Sequence, residues 1–449
     1  MEVDVLVAEI GSTTTVVNAF TFSKSPQFIG QGQSATTVLD GDVTIGLKKA
    51  IKDLETGLGE KLNWKEMLAA SSAAGGLKMC VHGLVYDMTV RAAKEAALGA
   101  GAVLKYASAG KLTRSDITKV KEIDPNIILV AGGVDYGERD TALFNFEKLT
   151  DSCPDVPFIY AGNVQNQDEV KLIAAEKNIR VYIAENVYPG VDELNVEPTR
   201  KIIQDVFEEH IIHAPGMTEI RSMINGRIMP TPGAVMAAAK LLAEEIGDLI
   251  VFDVGGATTD LHSVTDGSLE IAELMISPEP RAKRTVEGDL GVFVNIPHIV
   301  DRIGLEELKR EFPRATELIE NAKPIPETDE EKAFVEKLTG IAISSALERH
   351  AGKLIDYYGP AGKKTIAQGK DLTAVKYLIG TGGALTRLTN RIKIMESVLE
   401  KETSMRLGPR TGAKILVDNN YIMASLGVLS EVYQDEALSL MKSSIGGIE

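Results

Sequence analysis

Cysteine is nearly missing from this chain of 449 residues: Cys80 and Cys153 stand far apart and form no CxxC pair. That excludes a disulfide framework and a cysteine-ligated cluster, and it fits a reducing compartment, so a cytoplasmic protein is expected. Tryptophan occurs once, and the six histidines show no metal-binding spacing. No apolar run approaches the roughly 18 to 20 residues of a membrane span. The opening MEVDVLVAEIG reads as a strand, not as a basic leader with an apolar core, so no membrane attachment is expected. Positive charge is also short, with 48 Lys and Arg against 64 Asp and Glu, a formal net charge of −16. With no local basic block to offset it, a nucleic-acid or membrane-surface partner is disfavoured. An anionic ligand would have to be held by backbone groups.

What is abundant is apolar sequence, 44% of the chain, enough for two or three buried cores. Glycine is placed at three strand-and-turn units. The first, 3-VDVLVAEIGSTTTVVNAFTF-22, reads as a hairpin across 11-GSTTT-15. The second, 251-VFDVGGATTDLHSV-264, alternates like a strand at both ends and is broken in its middle by glycines and threonines. The third, 377-YLIGTGGALTRL-388, is an apolar strand entering a Gly-rich turn and a helix. Glycine lets the main chain approach an anion, and freed N–H groups and threonine hydroxyls donate to it without positive charge. Each turn alone reads equally as a bulge or tight turn.

Taken in order, acid-Ile-Gly-Ser-Thr-Thr, Asp-Val-Gly-Gly-Ala-Thr-Thr-Asp and Ile-Gly-Thr-Gly-Gly-Ala-Leu-Thr resemble the actin, sugar-kinase and Hsp70 ATPase superfamily. The resemblance implies an α/β fold: a two-lobed actin-like ATPase of ribonuclease H-like domains that uses ATP and Mg²⁺. It implies a first lobe over 1–100, an inserted or continuing α/β region over 101–230 and a second lobe over 231–449. Gly11, Ser12, Thr13 and Thr14 would form one phosphate loop, Gly255, Gly256, Ala257, Thr258 and Thr259 the other. Gly380, Gly382, Gly383 and Ala384 would face adenosine. The small-residue helices 232-PGAVMAAAKLLAEEI-246 and 423-MASLGVLSEVY-433 match the hinge-side helices of that superfamily, or simply have good helix propensity.

Carboxylates at these loops carry the expected metal and water chemistry. Asp253 is placed to orient metal-bound or attacking water, since a hard cation keeps several waters and takes few protein oxygens. Glu9 stands where most of the superfamily has Asp, one methylene longer. Asp260 would either reach the metal or lock the loop. The run 279-EPRAKRTVEGDLGVFVN-295 is either a solvated mixed-charge face or a site in which Glu287 positions water or metal while a basic residue meets phosphate.

Five segments, 69-AASSAAGGLKMCVHGLV-85, 95-EAALGAGAV-103, 128-ILVAGGVDYGE-138, 157-PFIYAGN-163 and 283-KRTVEGDLG-291, carry a closer resemblance. They are similar to the MutL-type accessory proteins of adenosylcobalamin-dependent glutamate mutase and related mutases, a family distinct from the mismatch-repair protein of the same name. That resemblance implies an ATP-dependent reactivating factor whose partner is the mutase. No Asp-x-His-x-x-Gly loop is present, so the chain itself is not expected to bind cobalamin. A small-molecule kinase and a non-hydrolysing nucleotide-binding assembly protein remain alternatives, and the oligomeric state is left open. The middle of the chain alternates strand-like and helical runs, which predicts a parallel α/β layer. The turn 131-AGGVDYGERD-140, with Asp135 and Asn163 at strand ends, reads as a second ligand loop or as plain turn geometry. A Pro-rich acidic linker is expected over 323–334, ahead of a helix over 335–350.

Overall fold

The computed structural model describes all residues except 12–13, 38–41, 73–76, 212–216, 360–361, 401–404 and 447–449. The chain divides into two compact units, Met1–Ala234 and Val235–Glu449, and the division falls inside the helix Thr231–Ile246.

In chain order the strands of the first unit are β1 (Glu2–Ile10), β2 (Thr14–Thr21), β3 (Gln27–Ala35), β4 (Asn63–Ser71), β5 (Lys78–Gly83), β6 (Val103–Ala109), β7 (Ile127–Val130), β8 (Phe158–Tyr160), β9 (Val181–Ile183) and β10 (Ile228–Pro230). Those of the second are β11 (Leu249–Val254), β12 (Thr259–Val264), β13 (Ala282–Glu287), β14 (Lys353–Gly359), β15 (Gly362–Gln368), β16 (Tyr377–Thr381) and β17 (Lys414–Val417).

One sheet of the first unit runs β3-β2-β1-β4-β10, with β2 antiparallel to both neighbours, β4 parallel to β1 and β10 parallel to β4. The principal sheet of the second unit runs β13-β12-β11-β16-β17 with the same senses. The two sheets therefore share one order and one polarity. This repeated arrangement, a hairpin meander continued by parallel strands, is the actin-like, ribonuclease H-like fold. The central strand β1 is buried from Val5 onward, as a strand covered on both faces must be.

The inserted layer of the first unit is a five-stranded all-parallel sheet, β6-β5-β7-β8-β9. Its strand β5 comes from residues 78–83, ahead of the expected start at residue 101. Strand β7, IILV, is buried throughout, and separate apolar clusters use the alternate residues Ile127 and Leu129, and Ile128 and Val130. In the second unit the helix Asp329–His350 starts six residues before the expected 335, because Thr328 and Glu331 form a capping box. Among the described residues no helix is long and apolar enough to cross a membrane.

Helix Thr44–Leu58 packs on β3 through its Leu47, Ala50, Ile51 and Leu54 stripe. The contact depends on Gly32, where a Cβ would lie 2.2 Å from the Ala50 carbonyl oxygen and 2.4 Å from the Leu54 nitrogen. At Gly57, in the same helix, an added Cβ would meet nothing within 4 Å. We expect Gly32→Ala to lower stability by about 2 to 3 kcal/mol through overpacking and Gly57→Ala to raise it by about 0.5 to 1 kcal/mol. Urea unfolding of the two variants checks both signs.

Candidate functional site

In the second unit, 253-DVGGATTD-260 lies where β11 turns into β12. Gly255 N–H donates to the Thr258 carbonyl at 2.9 Å and closes the turn. The segment after β13 runs along one side of it. Val292 N–H donates to Gly255 O at 3.2 Å, Phe293 and Val294 N–H donate to Gly256 O at 2.9 and 2.8 Å, and Asn295 Nδ2 donates to Ala257 O at 2.6 Å. Across a trans peptide the carbonyl and the next N–H point in opposite directions. The three bound carbonyls therefore turn the amides of Gly256, Ala257 and Thr258 to the side away from this brace. Three successive donors of that kind suit the oxygens of a phosphate. Only glycine fits at 291, since a Cβ there would lie 2.2 Å from the Ala257 carbonyl carbon. Thr259 is buried and donates its hydroxyl to Leu290 O at 2.8 Å, so it anchors the turn.

Asp253 is half-buried and lies directly opposite Asp260 in the β11–β12 register, so the two carboxylates share a face of the sheet. Asp260 is 4% exposed and accepts from Arg284 Nη2 at 3.1 Å. Burial pushes its carboxyl above the ordinary aspartate range, and the guanidinium opposes that. Of the two expectations for Asp260, reaching a metal or locking the loop, the structure shows its charge met by Arg284 inside the sheet. The basic residues of 279–295 are likewise committed. Arg284 is buried, Lys283 pairs with Glu279 at 2.7 Å and Arg281 with Asp266 at 3.6 Å, so neither a solvated face nor a phosphate-binding arginine describes Arg284.

The third glycine turn divides. Gly382 has φ +81 and lies against Asp253, where a Cβ would come within 2.6 Å of Asp253 Oδ1 and 2.5 Å of Val254 O. These two expected site residues are thus brought together. Gly380 faces the core, with Met395 Sδ 2.8 Å from where a Cβ would be, and Ala384 is buried in the same apolar cluster. Gly383 has open space around it.

The first unit repeats the turn. Gly11 N–H donates to Thr14 O at 3.0 Å, and Glu9 stands two residues before Gly11 as Asp253 stands before Gly255. Glu9 is buried and accepts from Asn18 Nδ2 at 3.4 Å, while Asn18 Oδ1 accepts from Gln31 Nε2 at 2.9 Å. By register Asn18 and Gln31 occupy the places of His262 and Arg284 in the second unit. An amide relay thus stands where the second unit has a buried ion pair. Ser12 and Thr13 lie outside the described residues.

Glu287 pairs in register with Thr259 and is bound by Arg349, which also grips Asp289 bidentately at 2.7 Å and 2.7 Å. Burial pushes the Glu287 carboxyl above the ordinary glutamate range, and Arg349 pulls it part of the way back. Sequence reasoning missed Arg349, which lies 62 residues from Glu287 with no local motif to mark it. Asn18 did leave a signal, a lone amide between the apolar pairs Val16–Val17 and Ala19–Phe20.

These directions set a pH dependence. An acid raised in the folded state contributes stability below its unfolded value and loses it as pH rises through the folded value. Arg349→Gln removes the group that restrains the rise, so the variant should lose stability between about pH 5 and pH 8 more steeply than the parent. Adding Glu287→Gln should abolish the extra slope. Urea unfolding at both pH values reads it, and parallel slopes in parent and single variant would contradict the assignment.

Among known protein families, the one described as "MutL protein" matches residues 5–445. Protein MutL of Clostridium tetanomorphum is 38% identical over 455 residues, covering 97% of this chain and 98% of that protein. Among solved structures, nucleotide-free acetone carboxylase aligns with a TM-score of 0.42 and 12% identity, over 95% of this chain and 70% of that one. The nucleotide-free diol dehydratase-reactivating factor aligns with a TM-score of 0.37 and 10% identity, over 96% and 100%. The structural scores are low, and the fold assignment stands on the repeated strand order; the sequence match, nearly end to end, settles that the chain belongs to the MutL protein family.

Proposed function

We propose that this chain is a cytoplasmic, ATP-dependent reactivating factor for an adenosylcobalamin-dependent mutase, glutamate mutase or an amino mutase. The observation that carries the nucleotide half of this reading is the row of amides at Gly256, Ala257 and Thr258 beside Asp253. Neutral backbone donors hold phosphate oxygens in a chain whose net charge of −16 would otherwise repel them. The turn at Gly11 and Thr14 offers the same chemistry in the first unit. Family membership supports the partner half.

Mg²⁺ fits the donor set. Asp253 and Asp260 share a sheet face, Arg284 meets the buried Asp260, and Asp253, the half-buried one at the mouth of the turn, offers hard oxygen. When bound, the ion would offset charge on the phosphate oxygens. Asp253 would hold and orient water, and Gly382 keeps its carboxylate against the backbone. Work on the mutase comes from binding that differs between the ATP and ADP states, the only source of a directed conformational push. One observation favours the alternative of a non-hydrolysing nucleotide-binding assembly protein: the Glu9 carboxylate is already engaged by Asn18. A kinase reading would need ATP use that appears only with a small acceptor.

Phosphate release from Mg·ATP by the purified chain, alone and with an inactivated mutase, tests the proposal. Slow release accelerated by the mutase is expected, and Asp253→Ala should reduce it by at least about a hundredfold with the fold intact. Unchanged turnover in that variant would remove Asp253 from the mechanism.

A further inference from the structure

The inserted parallel sheet is not used by the nucleotide chemistry, and its carboxyl-terminal edge has an unusual surface. The loops after β5, β7, β8 and β9 present Val85, Tyr86, Tyr136, Val164 and Val191 to solvent, with Tyr136 at 78% and Val191 at 73% exposure. Asp135 joins three of these loops. Its N–H donates to Pro189 O at 2.9 Å, and its Oδ1 accepts from Val164 N–H at 2.8 Å and from Asn186 Nδ2 at 2.9 Å. Gly132 packs the fourth, since a Cβ there would lie 3.4 Å from Leu84 N. Asp135 and Arg139 thus tie this stretch to the loops after β8 and β9.

What the scaffold displays is Tyr136. Its φ is +62, a left-handed conformation that a bulky aromatic seldom adopts, and its N–H is fixed by Asn163 Oδ1 at 3.2 Å. A strained aromatic pointed into water costs stability and is kept where it has a use. The rim around it is acidic. Segments 84–90, 131–140, 161–168 and 184–193 hold eight carboxylates and one arginine. Lys94 lies over the Tyr86 ring, Lys171 pairs with Asp168 and Asp135 is bonded between loops, so the negative charge is carried chiefly by the loops of 138–140 and 185–193.

An exposed apolar centre with an aromatic anchor and a mainly negative rim is the pattern of a protein-docking surface. We propose that this edge of the inserted sheet docks the partner mutase, through a mutase face that is apolar at its centre and ringed by Lys and Arg. The inference rests on the proposed function, which names the mutase as partner.

Two variants test it against purified mutase by biolayer interferometry. Tyr136→Gly suits the positive φ, so it should melt no lower than the parent while weakening mutase binding at least tenfold. Asp192→Lys, on an exposed turn, should weaken binding about fivefold and flatten its dependence on salt. ATP affinity should be unchanged in both. Parent-like binding by both variants, while the parent still binds the mutase and is stimulated by it, would overturn the docking surface and leave the proposed function standing. Failure of the parent chain to bind the mutase would overturn both.

Discussion

The hydrogen bonds that tie 292–295 to the carbonyls of Gly255, Gly256 and Ala257, three from backbone N–H groups and one from the Asn295 side chain, are what the rest of the second unit depends on. They fix the direction of three peptide planes, and with them the direction of three amide donors. Everything else about the site follows from keeping that turn in place. Gly291 lets the brace come close, Thr259 pins the turn to Leu290, and Gly382, which opens the helix after β16, lies against Asp253. A site of this kind needs no positive side chain, which is why it is compatible with a strongly acidic protein.

The two units repeat one strand order but have diverged in what lies beneath the turn. Glu9 and Asp253 hold matching places, two residues before the turn glycine. Under Asp253 lies a buried Asp260–Arg284 pair; under Glu9 lies a neutral amide relay through Asn18 and Gln31. A buried ion pair is costly to break by removing one partner, because that leaves an uncompensated charge. The longer Glu9 side chain is accommodated by an amide that takes one of its oxygens.

Much of this was legible in the sequence where the signal is local. The strands that lead into the three glycine-rich stretches are there, and so are the two small-residue helices, the second ending at Leu429 and not at the expected 433. Legibility ended where contacts are long-range. Arg284 read as one charge in a solvated run, because nothing local tells that β13 puts it on the same sheet face as Asp260, 24 residues away. Arg349 belongs to a helix that reads only as a helix. Gly380, in β16, and Ala384, in the helix that follows it, both lie against the core, whereas Gly382, at the junction between strand and helix with φ +81, meets Asp253; composition alone does not tell these places apart. The early start of the helix at Asp329 was available from Thr328 and Glu331, a capping box hidden by the proline and acidic residues around it.

The most direct measurement is recovery of activity by an inactivated adenosylcobalamin mutase, given fresh adenosylcobalamin with this protein and Mg·ATP. If nucleotide-dependent binding drives cofactor exchange, activity returns with ATP and does not return with ADP or with the Asp253→Ala protein. Recovery that is equal with ADP and ATP, or no recovery under any nucleotide, would contradict it.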